Sequence, residues 1–330
     1  MSSTAFCTLF DRGYLPQGLA LLRSLERHAP GQLLWVLAMD AATGRLLNQL
    51  GHPQLKVLTL EECETPELAH ARHHRSWGEY CWTLTPFLPQ FVLDRDPTLS
   101  CVTYIDADCY LLGPVESLLS RFESSGADCM ITPHAYTPKR DITATAGRYC
   151  VQFMPFRRSS TTLGILHWWQ DRCLERCSAQ LGAGPLGDQG YLDDWPERFG
   201  ASVFVLDRPE LTLAPWNIEH LWGKAQANLC LYHFQGFRLY RLGAWLLIRL
   251  SAGVALPPGS RRTLFDPYVA DLLALIESLP SQSLPLRPVP SLFHDPRGTL
   301  LLLPRLLWLH WWLRWFKLPA VFRSRAGAAP

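Results

Sequence analysis

Short apolar runs and amphipathic stretches take turns along the first hundred residues of the chain. Residues 5–10 read as a strand, and residues 15–28 as an amphipathic helix with Leu19, Leu22 and Leu25 on its buried side. Residues 33–39 predict a second strand with an aspartate at its end, followed by a helix over 41–50 and a third strand over 56–60. A helix-rich stretch then runs through 79–93 and leads into an apolar strand over 101–106. Strands separated by helices require right-handed crossovers and give a mostly parallel sheet covered on both faces. Ligands in such α/β folds gather at the carboxyl ends of the strands, so that is where chemistry is expected.

Further along, residues 128–132 and 149–156 read as strands, and residues 161–180 as a helix carrying Trp168 and Trp169. A glycine-rich turn over 182–187 leads into 188–195, and residues 203–206 and 229–234 read as later strands. After Gly236 the character changes: residues 238–250 and 300–317 are apolar, aromatic and basic, and a proline-rich connector over 279–290 follows a short predicted helix over 267–279. This divides the chain into an expected catalytic domain over 1–240 and a helical extension over 241–330. The last apolar segment is interrupted by Pro304, Arg305 and Arg314, too short and too charged for a membrane span of ~20 apolar residues. Its tryptophans and arginines suit the headgroup boundary, giving peripheral membrane contact through 300–318, while a helix docked on the core fits the same pattern.

Composition narrows the picture only slightly. The net charge of +2 gives no footprint for nucleic-acid binding. Thirteen tryptophans and ten tyrosines suit stacking on sugars or bases, and are also ordinary core material. The ten cysteines are scattered without a C-x-x-C pair, mostly inside apolar runs where a thiol behaves as a small hydrophobe. Cys173 and Cys177 lack the paired partners a structural zinc would need. The first residues carry no basic segment followed by a long apolar stretch, so the expectation is a reducing, cytoplasmic setting, with the inner face of the membrane as the peripheral contact.

The strongest candidate chemistry is Tyr104-Ile105-Asp106-Ala107-Asp108. Two carboxylates one residue apart point the same way on an extended backbone, and burying both is costly without a cation. A hard divalent ion at a strand end, magnesium or manganese, meets that need. Asp-x-Asp alone is a weak pattern, and a solvated turn accounts for it too. Leu231-Tyr232-His233-Phe234-Gln235-Gly236 also ends an apolar run; His233 reads as a third metal ligand or as a satisfied core histidine. Gly236 permits close backbone approach to a ligand, and Arg238 stands where it would face phosphate. Asp188 in Gly187-Asp188-Gln189-Gly190 reads from spacing as a helix N-cap, with a sugar contact as its functional alternative. Arg72-His73-His74-Arg75 is a basic cluster suited to a diphosphate, or a solvated charge run. No G-x-x-x-x-G-K-[ST] or G-x-G-x-x-G occurs, which argues against P-loop and dinucleotide folds.

These motifs occur in one order: Cys7-Thr8-Leu9-Phe10-Asp11, then Tyr14-Leu15 and Gly18-Leu19-Ala20-Leu21, then Tyr104 to Asp108, Gly187-Asp188-Gln189, and Tyr232-His233-Phe234-x-Gly236. In that order they resemble the GT-A glycosyltransferases, most nearly bacterial nucleotide-diphospho-sugar transferases similar to the retaining family 8 enzymes, over residues 5–240. The resemblance implies a GT-A, Rossmann-like sheet and a sugar transferred from a nucleotide-diphosphate donor, UDP-linked, to a hydroxyl on a glycan, lipid-linked or protein acceptor, as in polysaccharide or lipopolysaccharide synthesis. It implies that Asp106, Asp108 and His233 hold manganese or magnesium. Asp106, Ala107, Asp108, Gly236 and Arg238 would then meet the donor diphosphate. Thr8, Asp11 and Tyr14 would meet the nucleoside, Arg75 the phosphates or donor sugar, and Asp188 and Gln189 the donor sugar near its anomeric carbon. Two departures stand out: Phe237-Arg238 replaces a lysine that often follows the His-x-x-Gly element, and Gln152 is the substitute for an asparagine-containing sugar motif. The competing readings are a non-catalytic nucleotide-sugar or glycan-binding protein on the same fold, and a nucleotidyltransferase. The latter needs a glycine-rich triphosphate loop that Asp11-Arg12-Gly13-Tyr14 does not supply.

Overall fold

The computed structural model describes residues 3–181, 184–242, 245–249, 256–279, 287–288 and 321–323. The chain opens with strand β1 (Thr4–Phe10) and helix α1 (Leu15–His28), joined by a single 3-10 turn over Arg12–Tyr14. Pro16 sits in the first turn of α1 and Arg27 and His28 in its last, each where proline geometry and the helix dipole favour it. Strand β2 (Leu33–Ala38) is followed by α2 (Ala41–Leu50), which starts where the Asp40 carboxylate accepts from Thr43 N at 2.8 Å and ends on Gly51 with φ +56°. Next come β3 (Leu55–Thr59) and four short helices, α3 (Leu60–Cys63), α4 (Pro66–His74), α5 (Trp77–Leu84) and α6 (Leu88–Arg95). Capping boxes at Thr59/Glu62 and Ser76/Glu79 start α3 and α5. The chain continues through β4 (Cys101–Ile105), β5 (Cys109–Leu111), α7 (Glu116–Ser125), β6 (Cys129–Pro133), α8 (Thr143–Ala146), β7 (Tyr149–Cys150), β8 (Phe153–Arg157) and α9 (Ser160–Glu175). It continues with α10 (Trp195–Phe199), β9 (Val203–Val205), β10 (Thr212–Leu213), α11 (Ile218–Ala225), β11 (Leu231–His233), β12 (Arg238–Leu242), β13 (Trp245–Arg249) and α12 (Ser260–Ser278), followed by the short strands β14 (Arg287–Pro288) and β15 (Val321–Arg323), which pair with β12 and β13.

The expected mixed α/β architecture, a mostly parallel central sheet flanked by helices, is present. The main sheet runs β3-β2-β1-β4-β8-β6-β7, with β9 paired to β6. Its first four strands are parallel, whereas β8 pairs antiparallel to β4 and β6 antiparallel to β8. All five residues of β4 are buried, and they divide by parity: Cys101 and Ile105 join the core under α1, while Val102 and Tyr104 join the core under α4–α6 and α9. Gly18 lets α1 lie directly on β1, because a Cβ there would stand 2.3 Å from the Phe10 ring.

A second, three-stranded sheet, β10-β11-β5, positions the site. The chain leaves β4 at Ile105, turns through 106–108 and re-enters as β5 in this sheet, where β11 pairs antiparallel with it. The register sets His233 opposite Cys109, next to the two aspartates. Gly113 makes this crossing possible, since a Cβ there would stand 2.6 Å from the Leu229 carbonyl oxygen.

Several expected boundaries move. The strand expected over 149–156 is two strands, interrupted at Val151-Gln152, and the helix expected to reach residue 180 stops at Glu175. Asp188 is not a helix cap: a 3-10 turn over Gln189–Asp194 follows it, and its side chain makes no cap hydrogen bond. The region after residue 240 is not helical from its start. Arg238–Leu242 and Trp245–Arg249 pair as antiparallel strands, from Arg238 opposite Arg249 to Leu242 opposite Trp245. The helix expected from Pro267 begins at Ser260 and tolerates Pro267 inside it, because Leu264, Phe265 and Tyr268 anchor both sides of the proline in the core. Helix α12 lies against α1, and the Tyr268 ring stacks on Phe234 at 3.7 Å. Asp271 on α12 accepts from Tyr110 at 2.7 Å and pairs with Arg27 at 2.5 Å. The interfacial segment expected over 300–317 lies outside the described residues. Among the described residues no helix is long and apolar enough to cross a membrane.

Candidate functional site

Asp106, Asp108 and His233 converge where β4, β5 and β11 meet. His233 Nε2 lies 3.0 Å from Asp108 Oδ1 and 3.7 Å from Asp106 Oδ2. Its other nitrogen, Nδ1, meets Gln152 Oε1 at 3.0 Å. A glutamine oxygen on Nδ1 makes that nitrogen a donor, so Nε2 is the nitrogen that faces the carboxylates and would ligate a cation once its own proton is displaced. Tyr104 donates to Asp106 Oδ1 at 3.0 Å, and the Trp216 ring stands edge-on to His233 at 5.3 Å. The backbone locks the turn: Phe234 N–H donates to the Asp108 carbonyl at 2.8 Å and Asp106 N–H to the Gln152 carbonyl at 3.2 Å.

Burial alone would disfavour every charge in this cluster. It raises Asp106, only partly offset by His233. For the close His233–Asp108 pair the mutual attraction wins over burial, holding Asp108 below its ordinary range and His233 well above it. One buried carboxylate, one partly exposed carboxylate and an oriented imidazole form a donor set suited to a divalent cation, which would take the place of the imidazolium proton.

Asp188 lies behind this centre. It is 3% exposed, its Oδ2 has no hydrogen-bond partner among the described residues, and burial, then the charge of Asp106, pushes its carboxyl up to about 7. Thr85, at the end of α5, hydrogen-bonds both Asp188 and Tyr104, linking the two halves of the site. Trp169 donates to the Asp188 carbonyl at 2.9 Å, fixing the turn from the α9 side. Gly187 adopts φ +56° directly under the half-exposed Trp82 ring, where a Cβ would stand 3.1 Å from Trp82 Cε3. Gln189 is partly exposed and its amide donates to the Ala146 carbonyl at 2.9 Å.

The other expected residues separate into those the fold gathers at the site and those it does not. Asp11 accepts from Gly13 N at 2.8 Å and from the exposed Trp77 indole at 2.9 Å, at the carboxyl end of β1. The Arg238 guanidinium covers the Tyr14 ring at 5.1 Å and is close enough to Asp108 to lower its carboxyl. Gly236 takes φ +78°, the left-handed turn that brings Arg238 back after β11, and Ala107 is buried between the two aspartates. Thr8, by contrast, is fully buried within β1 and has no surface to offer a nucleoside. Arg75 is engaged within the fold: it donates to the Thr83 hydroxyl and the Leu174 carbonyl, joining α4, α5 and α9. Arg72 pairs with Glu64 at 3.4 Å on the outside of α4, the behaviour of a solvated charge run. Gln152, expected as a sugar contact, instead orients His233. Cys150 was not anticipated; its sulfur and the ligating atoms of Asp106 and His233 lie within 4.8 Å of one another. Nothing in its sequence context distinguishes it from the core thiols.

The fold and the site together define a mixed α/β protein with a carboxylate–imidazole centre at the strand ends of its sheet. The chain is 32% identical over 255 residues to the uncharacterised protein YfnF of Bacillus subtilis (strain 168), covering 72% of this chain and 82% of YfnF, and it belongs to the same family. No family model matches it. Among solved structures it is similar to the WbbM bifunctional glycosyltransferase, with TM-score 0.48 and 15% identity over 71% of this chain. That match spans 46% of WbbM, so this chain corresponds to less than half of it. It is also similar to the galactosyltransferase LgtC in complex with donor and acceptor sugar analogues, with TM-score 0.47 and 12% identity over 84% of this chain and 98% of LgtC.

Proposed function

We propose that this chain is a metal-dependent glycosyltransferase that moves a sugar from a nucleoside-diphosphate donor, UDP-linked, to a hydroxyl acceptor with retention of anomeric configuration. The observation that carries the reading is the convergence of Asp106, Asp108 and His233 at the strand ends, with the buried carboxyl of Asp188 behind them. In this reading the three residues hold manganese or magnesium, and the ion supplies the positive charge that stabilises the departing diphosphate. Arg238 adds a guanidinium on the same side, and its stacking on Tyr14 fixes its direction. Asp11, Tyr14 and the exposed Trp77 offer a carboxylate and aromatic faces for the nucleoside. Asp188 and Gln189 border the donor sugar, where a carboxylate stabilises positive charge developing at the anomeric carbon. Gln189 is held in place by Ala146.

The domain division carries over in the same terms: residues 1–240 carry the transfer, and the later segment is accessory. The acceptor is a glycan, a lipid-linked sugar or a protein presented in the cytoplasm, at the inner membrane face where 300–318 makes peripheral contact.

Isothermal titration with UDP separates this reading from that of a non-catalytic binder, and hydrolysis of UDP-sugars completes the test. Binding should require manganese, and Asp108→Asn should abolish metal-dependent donor hydrolysis while leaving the circular dichroism spectrum intact. UDP binding indifferent to metal, or turnover in the variant equal to the parent, would overturn it.

A further inference from the structure

We propose that Cys150 is a fourth protein ligand of the Asp106–Asp108–His233 centre, and that its thiolate makes the centre prefer zinc or cobalt(II) over magnesium. The inference rests on the reading of that centre as a metal site. Cys150 ends β7, and Gln152 follows two residues later, just before β8. Both side chains face His233: Gln152 Oε1 meets Nδ1 at 3.0 Å, and the Cys150 sulfur lies within 4.8 Å of an imidazole nitrogen. The sulfur, an Asp106 carboxylate oxygen and a His233 nitrogen lie within 4.8 Å of one another. Ligands bound at about 2.0–2.3 Å from one ion stand up to roughly 4.5 Å apart, so this spacing is within a small side-chain adjustment of a shared ion. Asp108 Oδ1 lies 3.0 Å from His233 Nε2 but stands outside this group of three, so its carboxylate must turn toward the sulfur and Asp106 to share the ion.

The donor chemistry then determines which ion is held. Two carboxylates and an imidazole alone accept hard and borderline ions alike. A thiolate added to them favours zinc and cobalt(II) and contributes nothing to magnesium. Ligation releases the thiol proton to solvent as the sulfur–metal bond forms, with no change in oxidation state. The remaining buried thiols do not share this arrangement. Among the described residues Asp106, Cys150 and His233 are the only group of three or more histidine, cysteine or acidic side chains whose ligating atoms all lie within 4.8 Å of one another.

The full-length, chelator-treated protein titrated with cobalt(II) tests the assignment by absorption spectroscopy. The wild type should develop visible ligand-field bands together with sulfur-to-cobalt charge-transfer absorption in the near ultraviolet. C150S should keep the ligand-field bands and lose the charge transfer, and C173S should keep both. Zinc affinity, measured by competition with a chromophoric chelator, should fall by about tenfold or more in C150S, while magnesium affinity changes by less than about threefold. Ligand-field bands without charge transfer in the wild type, or a charge-transfer band that survives in C150S or vanishes in C173S, would overturn the role of Cys150 and leave the metal site standing. Absence of cobalt binding altogether would remove both. If C150S does not fold, cadmium NMR of the wild type decides: a resonance in the thiolate range supports the assignment, and one in the oxygen–nitrogen range overturns it.

Discussion

Replacing Asp188 by asparagine should stabilise the protein at alkaline pH relative to acid pH, while removing its activity. The carboxyl is 3% exposed, one of its oxygens has no partner among the described residues, and Asp106 adds a like charge nearby. These raise it from the ordinary 3.8 to about 7. Below 3.8 both folded and unfolded chains carry the proton and ionisation costs nothing. Between 3.8 and about 7 the unfolded chain releases the proton while the folded chain retains it, so stability falls as pH rises. Above that window the loss is complete, at about 4 kcal/mol from about 1.4 kcal/mol per pH unit. Asparagine has no such loss. Its amide nitrogen, placed where Asp188 Oδ2 lacks a partner, costs about 1–3 kcal/mol, but equally at every pH. The quantity to measure is therefore the stability difference between Asp188→Asn and wild type, from urea unfolding in chelator at about pH 4 and about pH 8. It should swing by several kcal/mol in favour of the variant at the higher pH. A difference that stays constant across that range would refute the argument. A positive result would place Asp188 among side chains kept for function at the expense of stability.

Gly18→Ala should destabilise the fold by about 1–3 kcal/mol, although alanine is the better helix former by about 1 kcal/mol. The new methyl group would stand 2.3 Å from the Phe10 ring, and thermal unfolding followed by circular dichroism reads the outcome. Gln152→Ala removes the acceptor on His233 Nδ1 and should weaken manganese binding by about 10–100-fold in calorimetry, with the secondary structure unchanged. Deleting residues 300–330 should reduce binding to anionic liposomes in a flotation assay; unchanged binding would favour docking of that segment on the core.

The parts of the fold that were legible in the sequence are those with local causes. The helices Leu15–His28 and Ala41–Leu50 announce themselves through the periodicity of their apolar positions, and the parallel strands beside them through short apolar runs. The strand pair Arg238–Leu242 and Trp245–Arg249 was hidden because apolar, basic runs suit a helix as well as a strand, and only pairing decides between them. Side-chain destinations were less legible still. Arg75 and the aspartate at 188 carry strong local signals, a basic cluster and a cap position, yet Arg75 is held by Thr83 and Leu174 and Asp188 is buried toward Asp106. Leu174 and Asp106 each lie on an element distant in sequence from the residue they act on.

The same physics explains why the centre is exacting about register. His233 meets Asp108 because β11 pairs with β5 so that His233 faces Cys109, and the Phe234 N–H closes on the Asp108 carbonyl. A slip of one residue along that pairing would carry the imidazole to the opposite face of the sheet and bring Tyr232 or Phe234 to the carboxylates. The packing of those neighbours opposes the slip. Tyr232 is buried against Phe265, and Phe234 is stacked on Tyr268, so α12 holds both rings in the core on the register that delivers His233 to the site. Helix α12 lies far along the chain from the Asp-x-Asp turn and touches none of the three candidate metal ligands through a described hydrogen bond. It governs the site nonetheless, through the aromatic contacts that keep a three-residue strand in place.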